Sequence, residues 1–527
     1  MTAVQPGSTP TASTTLAPAP PGAQAVPAQA VPAQAVPAQA GRRRTGVRRP
    51  DPPPPFRRGR MRLVPRTVAG RVRALTAAAV LSLAGLLAVT AVAVGNARDG
   101  VRVIGHDAGP QVVATGNLYF HLTNMDAQLA NALLIGSTRN LGIRRDQALA
   151  AFDQSREAAG DALLRAAKLA DEPTEERTAR ESLNALARYE RLAGQALLLD
   201  ERAPHAAGPP QGEVIDIYRR ATDLMKLDLL PKAYNLTLDN GTLVRHTYES
   251  ERSAVQAGRV WVLGFGLLTL ALLVLLQFFL AGRFRRMLNP ALALSTVAVL
   301  VLVVAGSVML AGQERHLRTA KSEGFDSLLA LSRARAISTS ANADETRYLV
   351  DPGRADTYEQ VYLSKSQTVL YRGEGTNLNR YNQAIQRDLG KPDLNPSRER
   401  FLGFLGREAA YGGLPGQPDA YAEVLKTYRA FQQSDSRVRA LVRENQTGRA
   451  VEARLGGGSG GFSSDRDFRA YDRSLNELIK IHDRAFNDAV SAGDAGTRGW
   501  NAVLPAVGLI LVVLILAGVR PRLAEYR

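Results

Sequence analysis

The stretch GRFRRMLNP at residues 282–290 lies between two long runs of residues without any charge. The run before it, 260–281, contains nine leucines, and the uncharged residues after it continue to Gln313. A helix needs about 20 apolar residues to cross the hydrocarbon core of a bilayer, so each run predicts a membrane-spanning helix. The Leu, Phe and Val side chains of the first run contribute on the order of −5 kcal/mol to insertion. The short basic stretch therefore predicts a turn between two spans.

Three arginines of this turn, Arg283, Arg285 and Arg286, predict the side of the membrane on which the turn lies. Basic residues are enriched in cytoplasmic loops, so we expect the turn in the cytoplasm. Uncharged runs at 74–97 and 499–519 predict the first and fourth spans. The first ends in small residues that also suit a signal-peptidase site, but its full spanning length favours a retained anchor. Four spans predict a multi-pass protein of the cell membrane with both termini in the cytoplasm.

The net charge of +17 is concentrated in a few segments. Residues 1–73 carry +11, the turn carries +3 and residues 520–527 carry +2, which leaves +1 for the rest of the chain. A nucleic-acid-binding domain would concentrate its charge on one folded face. Here the surplus lies on segments that are predicted to face the cytoplasm, where it suits membrane orientation and contact with anionic lipid. We therefore predict membrane lipid, and no nucleic acid, as a partner.

The sequence contains no motif that predicts catalysis, a cofactor or a metal. It has no cysteine, and its six histidines are scattered without ligand spacing. Gly456, Gly458 and Gly461 match the spacing of a dinucleotide fingerprint, but that motif must follow a strand, and here the pattern before it is helical. A flexible helix hairpin is the better interpretation. We predict that the protein is not an enzyme. We also predict no catalytic residues, no cofactor-binding residues and no metal ligands.

The fold class that follows is an all-α membrane protein, with four transmembrane helices and two extracytoplasmic helical-bundle domains. The predicted segments are a disordered Ala/Pro-rich tail at 1–40, a cytoplasmic Arg-rich segment at 41–73, the first span at 74–97, a first bundle at 98–258, the second span at 259–281, the basic turn at 282–290, the third span at 291–312, a second bundle at 313–498, the fourth span at 499–519 and a cytoplasmic tail at 520–527. The same layout of span, bundle and span is thus used twice.

Polar residues inside the predicted bundles are the candidate extracytoplasmic sites. Asn117, Asn124 and Asn131 recur every seven residues beside a seam of apolar residues that runs from Leu118 to Ala132. Buried Asn at such positions fixes the register of a bundle, and the alternative is a polar pocket for a small ligand. Asp344 and Arg347 suit a ligand's amino and carboxylate groups, or else form a pair within the bundle. His482 lies on the apolar face of the last bundle helix as a packing residue.

Several short strings accompany this layout. They are Asn117-Leu118-Tyr119-Phe120, Ala341-Asn342-Ala343-Asp344-Glu345 with Tyr348-Leu349, and the closing stretch Arg520 to Arg527. With the two units of span, bundle and span and the Arg-rich turn, they resemble the GlnX-like four-pass membrane proteins of actinobacteria. The resemblance covers about 71–527. It implies a protein that relays amino-acid availability from an extracytoplasmic solute-binding lipoprotein of the GlnH type to the cytoplasmic Ser/Thr protein kinase G.

The function predicted from these observations is a non-enzymatic transmembrane sensor and signal relay. One alternative is a chemoreceptor-like sensor that binds a small molecule directly, and another is a structural envelope scaffold or exporter subunit. No charged residue lies within the cores of the spans, which argues against a pump, transporter or channel. The candidate surface for docking a cytoplasmic partner comprises Arg283, Arg285, Arg286, Arg520 and Arg522. The alternative is that these five arginines only set the orientation in the membrane.

Overall fold

A computed structural model of the chain describes residues 68–524, except 170–172, 285–288, 372, 374, 392–400, 409–412 and 457–461. The predicted tail at 1–40 and most of the glycine-rich loop lie outside the described residues. Within them the chain is helical and has no strand, apart from an isolated bridge between Tyr371 and Leu402. The prediction of an all-α protein is confirmed.

The helices fall into two series separated by the basic turn. The first series is α1 (Val68–Arg102), α2 (Gly109–Ile135), α3 (Arg145–Leu169), α4 (Pro173–Arg202), α5 (Gly212–Leu224) and α6 (Leu230–Phe284). The second series is α7 (Pro290–Arg318), α8 (Asp326–Val350), α9 (Ala355–Val369), α10 (Leu378–Asp388), α11 (Gly403–Glu408), α12 (Gln417–Arg443), α13 (Thr447–Leu455), α14 (Ser464–Thr497) and α15 (Trp500–Ala524). Three π-helical segments join consecutive helices, namely π1 (Val103–Ala108), π2 (Met225–Leu229) and π3 (Thr319–Phe325).

Among the described residues, four helical stretches are long and apolar enough to cross a membrane, the fourth with a break at Arg498 and Gly499. They are Val68–Asp107, Tyr248–Gly282, Pro290–Val350 and Ser464–Pro521. Large apolar side chains on them remain exposed, as in Phe278 (74%) and Leu509 (69%). A contiguous apolar surface of this kind is not tolerated in water, so it is the surface that suits lipid. The chain therefore has the architecture of a multi-pass membrane protein.

The spans pack in the order α1, α6, α7 and α15, with α15 closing back onto α1. The Ser82 and Thr269 hydroxyls lie 2.8 Å apart across the α1–α6 contact, and Gln277 Nε2 donates to Thr296 Oγ1 at 2.7 Å between α6 and α7. Such interhelical hydrogen bonds hold spans together where lipid gives no hydrophobic driving force between helices. Asn289 starts α7, because its side chain accepts from the Ala291 amide at 3.2 Å and caps the helix.

The helices that project beyond the spans form what we call the extramembrane body, which comprises α2 to α5, the first part of α6, and α8 to α14. In its first half, α2 packs on α3, α3 on α4, and α4 on α5, while α6 returns to α2. The predicted seam of α2 is confirmed, because all five of its residues are fully buried: Leu118, Leu122, Met125, Leu129 and Ala132. This half is a four-helix bundle, in which α5, π2 and the first part of α6 form the fourth helix.

The two halves of the extramembrane body are not separate. One hydrophobic core contains the α2 seam and also Tyr348, Leu349 and Val350 at the end of α8, with Val438 of α12 and Leu455 of α13. The residues that the structure describes accordingly form a single compact unit. The two predicted bundles thus pack as one body, and α2 lies along α8 at the centre of their contact.

Candidate functional site

A cluster of charged side chains is buried where α2 meets α8. Arg347 of α8 forms ion pairs with Asp126 of α2 and with Asp344, one turn earlier on its own helix. All three side chains are at most 2% exposed. Asp126 also accepts hydrogen bonds from Tyr189 Oη of α4 at 2.9 Å and from Thr222 Oγ1 of α5 at 3.2 Å. One carboxylate therefore ties three helices of the first half to an arginine of the second.

Two lysines complete this cluster, which we call the central charge network (Asp126, Lys226, Asp344, Arg347 and Lys365). Lys226 Nζ of π2 lies 3.0 Å from Asp344 Oδ1, and Lys365 Nζ of α9 contacts Asp344 Oδ2. Three cations face two carboxylates, so the fully ionised network carries one excess positive charge. Burial lowers the pKa of Lys365 to about 8 and also lowers the pKa of Lys226, which reduces the cost of this excess.

A second group of polar side chains continues from the central charge network toward α13 and α14. Thr346 Oγ1 donates to Asn131 Oδ1 at 3.0 Å and accepts from Arg454 Nε at 3.1 Å. Arg454 Nε also lies 3.6 Å from Glu345 Oε2, and Ser464 Oγ donates to Glu345 Oε1 at 2.7 Å. The start of α14 is thereby connected through α8 to α2.

Buried charge networks of this kind hold helices in fixed relative positions, because a small displacement breaks an ion pair or a hydrogen bond. Taking charges out of water is expensive, and only complete pairing offsets the cost. A displacement that breaks one pair leaves an uncompensated buried charge, so intermediate positions of the helices are unfavourable. The contact between α2 and α8 is therefore suited to a few discrete arrangements rather than continuous sliding.

The structure separates the three asparagines that the sequence places on one ladder. Asn117 is exposed, while Asn124 is half-buried and its Nδ2 donates to Ser155 Oγ of α3 at 2.8 Å. Asn131 is buried and bonds to Thr346 across the contact between the halves. The register role that the sequence favours therefore suits Asn131 and, within the first bundle, Asn124. Asn117 makes no such contact.

Replacing Asn131 with Leu is expected to lower the free energy of unfolding by about 1–3 kcal/mol, because buried Thr346 and Arg454 lose part of their network. Replacing Asn124 with Leu is expected to cost less than about 1 kcal/mol, since Ser155 Oγ still donates to the Ala151 carbonyl at 2.8 Å. Thermal unfolding of the full chain in lipid nanodiscs measures both. Equal losses for the two variants would contradict the assignment of Asn131 to the contact between the halves.

The predicted pair of Asp344 and Arg347 lies within the helical body, as one of the two alternatives has it, but it has three further partners. Asp126, Lys226 and Lys365 were not among the sequence candidates. Asp126 could have been found, because it lies four residues after Leu122 and three before Leu129, on the buried stripe itself. No local pattern marks Lys226 or Lys365. His482 is buried as expected, with Nε2 2.6 Å from Glu408 Oε1.

The five arginines of the candidate docking surface are only partly described. Arg520 is exposed at the end of α15. Arg285 and Arg286 lie outside the described residues, as do the side chains of Arg283 and Arg522. Docking at these arginines remains a prediction. Among the described residues no group of three or more His, Cys, Asp or Glu side chains is placed to hold a metal ion.

Comparison with known proteins points to sensing. Residues 100–249 match the family model of an actinobacterial sensor domain. The match spans π1, α2 to α5 and the first part of α6, which is the first half of the extramembrane body including Asp126 and Lys226. It supports a sensor protein of the actinobacterial type. No curated protein and no solved structure matches the chain.

A second feature, which we call the membrane-proximal joint, comprises π1, π3 and residues 486–490 of α14. Here π1 follows the first span and π3 follows the third span, and both pack against α14. The contacts are very close: a Cβ at Gly105 would lie 2.4 Å from Val490 Cγ1, and one at Gly324 would lie 2.9 Å from Phe486 Cα. π-Helical turns are rare and are frequent at functional sites. The joint lies between the spans and the central charge network.

Proposed function

We propose that this protein is a transmembrane sensor that relays a change in its extracytoplasmic helical body to the inner face of the membrane, without enzymatic activity of its own. The sensor-domain match at 100–249 supports the sensing role. The observation that carries the relay is the continuity of its helices. The stretch Pro290–Val350 runs unbroken from a candidate span into the extramembrane body, and so does α6, which is one helix from Leu230 to Phe284.

Continuity matters because a rigid helix transmits displacement along its length. From Gly312, at the end of the third uncharged run, to Asp344 a helix rises roughly 48 Å at 1.5 Å per residue. The first span reaches Asp126 in the same way through α1, π1 and α2. The central charge network therefore joins the distal ends of the helices that emerge from the first and third spans. A changed arrangement of α2 against α8 would move these spans relative to one another.

The membrane-proximal joint suits the conversion of this movement. A π-helical turn holds one residue more than an α-helical turn, so its formation or loss shifts the register of the helix on either side. With π1 and π3 packed on α14, such a shift would move α14, whose end at Thr497 is joined to the fourth span by Arg498 and Gly499. An input drives this change only as far as it favours one arrangement over the other.

The finer parts of the proposal concern the partners. The proposed input is an extracytoplasmic solute-binding lipoprotein that engages the body, and the proposed output is a cytoplasmic Ser/Thr protein kinase. The resemblance in layout and short strings supports both. The turn at 282–290 is too short to fold into a signalling domain, which favours a separate output protein. Its arginines, with those near the end of α15, would present positive charge to an acidic surface of the kinase.

Replacement of Arg283, Arg285 and Arg286 with Gln tests the output. We expect the variant to lose copurification of the cytoplasmic partner and the response to amino acids, because the charge that attracts the acidic surface is removed. The matched control changes Arg42, Arg43 and Arg44 to Gln, which removes the same charge elsewhere on the predicted cytoplasmic side. If partner and response survive in the first variant with its topology intact, the arginines serve orientation only.

The orientation itself is tested by labelling, since the chain has no native cysteine. A cysteine at Ala206, which is exposed between α4 and α5, should react with a membrane-impermeant maleimide in intact cells. A cysteine at Leu288 in the basic turn should react only after lysis, because the turn is predicted to be cytoplasmic. Labelling of Leu288 with protection of Ala206 would invert the proposed topology.

A further inference from the structure

A polar crevice opens between the two halves of the extramembrane body. Its volume is about 390 Å³, within the range of small-molecule sites. The first half contributes Phe120, Asn124, Gln128, Ile143, Gln147, Ala148 and Ala151, and the second half contributes Thr339, Asn342, Asp465, Phe468, Arg469 and Asp472. An occupant would therefore contact α2 and α3 on one side and α8 and α14 on the other.

Asn342 is the residue that indicates an occupant. It is 5% exposed, and its Oδ1 accepts no hydrogen bond from any residue that the structure describes. Its backbone carbonyl is already used, because Arg454 Nη2 donates to it at 3.4 Å. A buried acceptor without a donor costs free energy, and most such atoms in folded proteins are paired. The crevice thus offers a place for an N–H or O–H group that the chain does not supply.

Charged groups near Asn342 restrict the chemistry of that donor. Asp465 is 7% exposed, with Nη2 of the mostly exposed Arg469 2.5 Å from its Oδ2 and Nη1 of the buried Arg454 3.9 Å from its Oδ1. Arg335 donates to both carboxylate oxygens of Asp472, at 2.7 and 2.9 Å, so Asp472 is less free than Asp465 to accept from a ligand. A largely desolvated carboxylate beside an unpaired carbonyl oxygen attracts a cation that can donate several hydrogen bonds.

Aromatic side chains supply the rest of the wall. Phe120 of the first half and Phe468 of the second half both line the crevice. Arg335 lies over the Phe120 ring, with its Cζ 4.1 Å from the ring centroid. Alkylammonium groups bind in such surroundings through both the charge and the attached carbon atoms.

We propose that this crevice binds a small organic molecule that carries a protonated amino group, which donates to Asn342 Oδ1 and to the Asp465 carboxylate. Arg469 would then be the partner of a carboxylate, if the molecule has one. The inference deepens the proposed sensor function and rests on it, since the bound molecule would join α2 and α3 to α8 and α14 and so act as a second input beside the proposed lipoprotein. Amino acids and simple amines share this chemistry.

The test is isothermal titration of the full chain in lipid nanodiscs with the twenty amino acids, ethanolamine and putrescine. We expect saturable binding of at least one of these probes. Asn342→Leu should weaken it at least ten-fold, because a hydrogen bond to a charged group is lost. Asn342→Asp should keep or strengthen it, since a carboxylate also accepts from an ammonium group. Arg469→Gln distinguishes amino acids from simple amines: it should weaken the binding of an amino acid and leave the binding of an amine unchanged.

Two further variants test whether a loss of binding arises at the crevice itself. Asn382→Leu is the matched control, because Asn382 is 4% exposed and also has an unpaired Oδ1, but lies on α10 away from the crevice. Gln147→Trp fills the mouth from an exposed position and should abolish binding without disturbing the core. The proposal is overturned if no probe binds at millimolar concentration, or if binding survives both Asn342→Leu and Gln147→Trp. Binding is measured here without any signalling readout. A failure to bind therefore does not contradict the proposed relay, which the arginine variants test separately.

Discussion

Replacement of Asp344 with Ala is expected to lower the free energy of unfolding by about 3–5 kcal/mol, the range for breaking a buried ion pair by removing one member. Asp344 is fully buried and is the shared partner of Lys226, Arg347 and Lys365. Its loss leaves two lysines without a carboxylate and Arg347 with Asp126 alone. In thermal unfolding of the full chain in nanodiscs, this corresponds to a fall in Tm of roughly 3–5 °C, because the entropy of unfolding scales with chain length.

The matched control for this prediction is Asp146→Ala. Asp146 also forms an ion pair, with Arg144 at 2.7 Å, but its side chain is 68% exposed. Exposed pairs contribute little because water screens them, so the control should change the free energy of unfolding by less than about 1 kcal/mol. Similar losses in both variants would show that Asp344 does not hold the two halves together.

Gly324→Ala is expected to have the second large effect, this time on the relay. A Cβ at Gly324 would lie 2.8 Å from Phe486 Cβ and 2.9 Å from Phe486 Cα, and backbone cannot yield as a flexible side chain does. π3 and α14 must therefore move apart, at a cost of about 1–3 kcal/mol. We expect the response to amino acids to be lost or to become constant, because π3, which follows the third span, and α14, which precedes the fourth, lose their contact at the joint.

Gly312→Ala provides the comparison, since a Cβ there meets nothing within 4 Å. Gly312 is likewise helical and lies on the same helix, α7, that leads into π3. Alanine should be neutral or stabilise the helix by up to about 1 kcal/mol, with the response unchanged. A normal response in Gly324→Ala, measured with topology and expression confirmed, would remove the joint from the proposed mechanism.

The candidate site was predictable only in part. The sequence marks Asp344 and Arg347 as a charged pair at helical spacing, and Asn131 as a polar residue beside an apolar seam. Their partners could not be predicted, because Arg347 and Asp126 are separated by 221 positions in the chain and Lys226 and Asp344 by 118. A local pattern shows that a position is buried, yet it does not show which distant side chain shares the burial. Nothing in the local sequence distinguishes Lys365 from the other polar residues of α9, so its place in the central charge network could not be predicted.

What the sequence by itself determined is the helical class and the four apolar runs, since both follow from local chemistry. Hydrocarbon thickness sets the length of a span, and the 3.6-residue period sets the buried stripe of a bundle helix such as α2. Only the tertiary structure decided that α2 and α8 lie together, that one core serves both halves, and that π1 and π3 meet α14. The physical reason is that helix faces of similar composition can pair in several ways. The choice among them depends on matching buried charges and close glycine contacts contributed by segments far apart in the chain.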